Sequence, residues 1–357
     1  MQHKQLSALL LASLIALSAS AQAGEYRLVS TVKGLSSGAP TTGEEEAAVD
    51  DSLAEVCDGL EAEEIWRHVG NGTRGYRPVI DAGGVAYYGT ATGDIYAVGP
   101  DGSRLWHNSQ GNSRVVDTAL GPDGMLYAIE WDARLRKLDP QTGVQHYRLS
   151  ISGDSYALAA SADGRIAHSS FTNATRVQLR DPGGTVIAAY SGTIANQAAM
   201  AFDDAGDLYV LGSGASGGLV KLRQNGTGID ELWRTAAVAN AHYLRVMPNG
   251  DLLTVGRESD TALWVRRHAA ADGALLSAHL AEGTPARAED ASIDAHGNVY
   301  AAAGAWAAKF DPAGALVWQA DLTSGGNVNG IRIGPQGGVY FGHGGGHLVH
   351  VEQFACQ

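Results

Sequence analysis

The sequence predicts an all-β fold: a seven-bladed β-propeller of four-stranded antiparallel blades, its ring closed by an N-terminal strand in the last blade. Three observations point there. A turn glycine followed by an apolar strand recurs seven times. Its spacing is that of a propeller blade. A strand-like segment before the first repeat also supplies what is missing after the last one.

The recurring anchor reads Gly84-Val85-Ala86-Tyr87, Gly124-Met125-Leu126-Tyr127 and Gly164-Arg165-Ile166-Ala167, then Gly206-Asp207-Leu208-Tyr209, Gly250-Asp251-Leu252-Leu253, Gly297-Asn298-Val299-Tyr300 and Gly337-Gly338-Val339-Tyr340. The intervals between glycines are 40, 40, 42, 44, 47 and 40 residues. The pairs Asp123-Gly124, Asp163-Gly164 and Asn249-Gly250 suit tight hairpins, because glycine accepts positive φ. Four residues before each glycine lies an apolar side chain: Ile80, Leu120, Ala160, Phe202, Val246, Ile293 and Ile333. These are expected to pack between neighbouring blades on the innermost strand. Asp-Pro turns at Asp139, Asp181 and Asp311 precede an outer strand, which often closes with an aromatic residue: Trp106, Tyr147, Tyr190, Trp233 or Trp318.

The seventh unit runs out after His347-Leu348-Val349-His350-Val351. Glu64 to Val69 resembles an outer strand and is expected to complete that blade, which removes an open sheet edge. Cys57 and Cys356, the only two cysteines, then fall near each other, and a disulfide between them is expected.

The first 23 residues are expected to be a secretory signal peptide. A weakly basic start, His3-Lys4, leads into an apolar run from Leu6 to Leu17 and a small-x-small site at Ala21-Gln22-Ala23. Residues 24–63 are expected to be an acidic, partly disordered leader, with the propeller occupying 64–357. No cysteine stands directly after the apolar run, so no lipid anchor is expected. No later stretch is long and apolar enough for a membrane span. The mature protein is therefore expected in the periplasm or secreted. The formal net charge is −13, the wrong sign for a non-specific nucleic-acid binder.

The unit DGxLYA…GxxxAxDPxTGxxxW resembles the PQQ-type β-propeller repeat, best at Gly84–Trp106 and Gly297–Trp318. Related repeats occur in quinoprotein alcohol dehydrogenases and in a periplasmic scaffold lipoprotein of outer-membrane assembly. The resemblance implies a propeller fold over residues 65–354. The redox members have eight blades, adjacent cysteines and a calcium-binding Glu/Asn/Asp set. This chain shows none of these motifs, so neither PQQ nor quinone catalysis is expected. The scaffold lipoprotein is also eight-bladed and lipid-anchored, which this chain is not expected to be.

No G-x-S-x-G, H-E-x-x-H or P-loop motif occurs. The Gly212–Gly218 stretch reads as a hairpin loop, and His343, His347 and His350 as residues of a turn and strand. Candidate ligand-binding residues lie at the channel mouth, where innermost strands begin: Arg77, Asp117, Tyr156, Gln197, His242, Glu289, Asp290 and Asn329. Asp117, His242, Glu289 and Asp290 combine carboxylates with an imidazole, a chemistry that suits a divalent cation or acid–base work. Water filling the channel explains the same polarity without a ligand. Two functions follow. One is a non-catalytic extracytoplasmic propeller that binds or scaffolds a protein, peptide or small ligand, with no cofactor. The alternative is a secreted metal-dependent hydrolase or lyase with its site at the channel mouth.

Overall fold

The computed structural model describes residues 60–72, 74–151, 155–170, 177–215, 217–322 and 327–355. Residues 1–59 and both cysteines lie outside them, so the expected signal peptide, the disulfide and all of the expected leader but residues 60–63 do too. The described residues contain no helix. Their strands form seven four-stranded antiparallel groups, six of them running consecutively from Val79–Ile80 to Leu316–Asp321. The third and fourth groups touch along their outer edges through one parallel bridge, Ala189 to Gly228. The innermost strands contact one another in cyclic order, and the first, Val79–Ile80, meets the last, Val328–Ile333. The groups are therefore blades of a closed ring.

Closure is by an N-terminal strand. Leu60–His68 lies antiparallel to His347–Ala355, with Leu60 opposite Ala355 and His68 opposite Leu348. The strand begins four residues before the expected domain boundary at 64. Trp66 packs against His350 at 5.2 Å between ring centroids, and His350 stacks on Tyr340 at 4.3 Å.

Two local devices explain the sequence repeat. The first is the anchor turn. Asp81 accepts N–H bonds from Gly83 and Val85 through one carboxylate oxygen. Its other oxygen accepts the Tyr87 hydroxyl at 3.2 Å. The same tyrosine-to-aspartate bond recurs at Tyr127–Asp123, Tyr209–Asp203 and Tyr300–Asp294. The tyrosine of the anchor is thus a tether for the turn that precedes it.

The second device joins blades. Trp66 donates its indole N–H to the Pro100 carbonyl, Trp106 to that of Pro140, and Trp233 to that of Ala270. Each acceptor lies in the third turn of the next blade. Gly102, Gly143 and Gly273 lie under those indoles, where an added Cβ would come within 2.8, 2.6 and 2.7 Å of ring atoms. Only glycine fits there. Trp66 makes the same joint as Trp106, so the N-terminal strand behaves as a true outer strand.

Innermost strands carry a third feature that counting did not foresee. In blades two, four, five, six and seven the ladder shifts across one extra residue: Val116, Ala198, His242, Glu289 and Asn329. These are β-bulges, which redirect side chains locally. Each bulged residue sits eight positions before its anchor glycine.

Candidate functional site

The bulges sort the expected channel residues into two sets. Residues seven before the anchor point to the axis and are buried: Arg77, Asp117 and Asp290, at 5%, 8% and 1% exposure. The bulged Glu289 and Asn329 sit with Tyr156 around a second mouth of about 250 Å³, which also includes Arg74, Arg114 and Trp131 and which Arg77 reaches from the axial set. Glu289 is exposed there.

Asp290 is the hub of the axial set. One oxygen accepts from Arg77 at 3.1 Å. The other accepts from Arg332 at 3.0 Å and from the Ile331 N–H at 3.2 Å. Arg77 also donates to the Ala198 carbonyl at 3.1 Å and lies over the Tyr156 ring. Arg332 lies over the Tyr243 ring at 4.7 Å. Asp117 accepts the N–H groups of Leu158 and Thr118, each at 3.1 Å. The Thr118 hydroxyl donates to the Arg77 carbonyl. Every blade contributes to this layer, which bridges the ring at its centre.

Burial and charge act against each other here. Burial works against the Asp290 charge, but Arg77 and Arg332 outweigh it and hold the carboxyl below the usual carboxylate range. Burial opposes the Arg77 charge too, yet Asp290 leads its neighbours in raising that guanidinium's hold on its proton. For Asp117 burial prevails over Arg77 and Arg332 and pushes the carboxyl up. His242 is lowered to about 4, chiefly by burial, and is neutral near pH 7. Its Nε2 is buried with no hydrogen-bond partner. Gln197 is fully buried; its amide N–H donates to the Ile194 carbonyl, and its Oε1 has no hydrogen-bond partner.

Asp117, His242, Glu289 and Asp290 are therefore not one constellation. Among the described residues no three His, Cys, Asp or Glu side chains gather as metal ligands. His343 and His347 face each other with centroids 6.3 Å apart, whereas His350 packs on Tyr340 and Trp66.

The apolar position four before the anchor has a double role. Each of these side chains packs against a blade core. All but the fully buried Ile293 also line a larger cavity of about 490 Å³ at the turn end of the axis. Arg332, Arg245 and Tyr243 reach the same cavity and were not singled out in the sequence. The arginines lie five positions before their anchors, the same side as position seven in an extended strand. That offset was the signal available.

A family model described as outer membrane protein assembly factor BamB, built on the PQQ-type repeat, matches residues 55–288. The chain belongs to this family. The match ends in blade six, while the four-stranded units continue to Ala355. No curated protein matches the chain. Among the described residues no helix is long and apolar enough to cross a membrane.

Proposed function

We propose that the protein is an extracytoplasmic, non-catalytic propeller that binds or scaffolds a protein or peptide partner. The observation that carries this reading is the engagement of the axial charges. Asp290 is shared by two guanidiniums and an N–H, and Asp117 by two N–H groups. Side chains committed in this way brace the ring rather than meet a substrate. The family description names an assembly factor, and assembly is work done by binding other proteins. Exposed Val69, Leu105, Val144 and Leu276 place apolar contact points around the rim.

Export is supported by the signal-like sequence pattern of residues 1–23. The same reading includes a Cys57–Cys356 disulfide, the two cysteines lying in sequence just beyond the paired strand ends Leu60 and Ala355. The exported protein should begin at Gly24 by intact mass. It should show no thiol before reduction and two after.

Photo-crosslinking in cells from positions 69, 105, 144 and 276 tests the binding role. A defined protein adduct at a subset of positions, abolished by a charged substitution beside it, is expected. No adduct from any position would overturn the scaffold reading. So would stoichiometric Ca²⁺, Mg²⁺ or Zn²⁺ in the purified protein with a hydrolytic activity lost in Asp117→Asn.

A further inference from the structure

The cavity at the turn end of the axis has two chemically distinct zones. Its inner wall is cationic. Arg77, Arg245 and Arg332 line it, against Asp117 alone, and Asp290 stands just behind. Even with both carboxylates ionised, three guanidiniums face two acids. Its outer wall is an apolar collar in which Ile80, Leu120, Phe202, Val246 and Ile333 converge from five blades.

Of the three arginines in this wall, Arg245 is the one the fold leaves least satisfied. It makes no ion pair among the described residues. One of its terminal nitrogens donates to the Ile293 carbonyl at 3.2 Å, while its Nε is buried and has no partner. An unpaired buried donor on a charged group is costly. Arg77 and Arg332 already share Asp290, so the surplus positive charge belongs to Arg245. Its planar fork suits a carboxylate, which accepts two parallel N–H bonds. A cavity of about 490 Å³ is within the range that holds a small organic molecule.

We propose that this cavity binds a monocarboxylate with an apolar body. The carboxylate is held by Arg245, and the hydrocarbon lies within the collar. The site stands apart from the rim and does not depend on the scaffold reading. The amphiphilic ligand follows from the order of the zones: charge inside, hydrocarbon at the opening. A purely apolar ligand leaves the Arg245 charge without a counter-ion, and a small inorganic anion leaves the collar empty.

Calorimetric titration of the folded protein with octanoate and with octanamide at neutral pH tests this. The two probes share a hydrocarbon chain and differ in charge. Octanoate should bind at least about tenfold more tightly, the discrimination expected from a charge-assisted hydrogen bond in a partly buried site. Arg245→Gln should erase that preference, and Phe202→Ala should weaken both probes by similar factors. Val246→Glu, which adds a carboxylate to the collar while keeping Arg245, should abolish octanoate binding and retain octanamide; it decides the matter if Arg245→Gln does not fold. Equal affinity for the two probes overturns the proposal. Absence of saturable octanoate binding does so too, as does an unchanged preference in either folded charge variant.

Discussion

Two buried carboxylates in this protein each sit between two guanidiniums, and they hold different things together. Asp290 joins Arg77 and Arg332 across the axis. Glu130 joins Arg136 and Arg148 within blade two. Glu130 and Arg136 are both fully buried. The partners of Glu130 are 6 and 18 residues away, whereas those of Asp290 are 213 and 42 residues away. The local triad also has substitutes. Arg136 donates to the Gly93 carbonyl, Gln145 and Asn108, and Arg148 has Asp132 at 3.8 Å. The axial triad has fewer, because Asp290 is the acid on which both guanidiniums converge. A buried triad between neighbours in sequence strengthens one blade. The same chemistry between distant strands sets how blades meet.

Acidification should have the largest effect, and it acts first outside both triads. His68, His168 and His350 are 7%, 1% and 5% exposed. Their proton affinities are lowered to about 4, 3 and 4, in each case chiefly by burial. Between pH 6.5 and about 4 the unfolded chain binds protons that the folded chain refuses, so stability falls as pH falls through that window. The loss should total on the order of several kcal/mol. Asp290 has its proton affinity lowered as a carboxyl. Its contribution is present above the ordinary aspartate range and is lost only at lower pH. Urea unfolding at pH 7 and 4.5 should show the drop; a flat profile would mean these histidines are charged in the fold.

Asp290→Ala comes next. It leaves two buried or half-buried guanidiniums without their acid and should cost about 3–5 kcal/mol in urea unfolding. Glu130→Ala, at an equally buried carboxylate, should cost about 1–3 kcal/mol because its arginines keep other acceptors. Hydrogen exchange should localise the second loss to blade two and spread the first over all innermost strands. Equal costs with equal spread would erase the distinction. The smallest effect belongs to Glu289→Ala, one residue from the hub but on the exposed bulge. It should stay within about 0.5 kcal/mol of the parent.

Much of this was legible in the sequence. Seven glycine anchors gave the blades, and the outer-strand character of Glu64–Val69 gave the closure that Trp66 completes. Arg77, Asp117 and Asp290 were found by counting back from the anchors. The bulges were not, since an inserted residue leaves no mark in a periodic pattern. They explain why Asp290 is buried while adjacent Glu289 is exposed. The Arg136–Glu130 pair was missed because a strand's period of two does not mark which charges of a middle strand are buried. Arg245 and Arg332 were missed because an apolar neighbour, Val246 or Ile333, carried the repeat signal.

A double-mutant cycle on Arg77 and Asp290 tests most directly whether the axis is braced by paired charge. Arg77→Met and Asp290→Asn should each destabilise strongly in urea unfolding. The double variant should be more stable than their sum predicts by at least about 2 kcal/mol. Additive losses would contradict the account and leave the ring held by its blade interfaces alone.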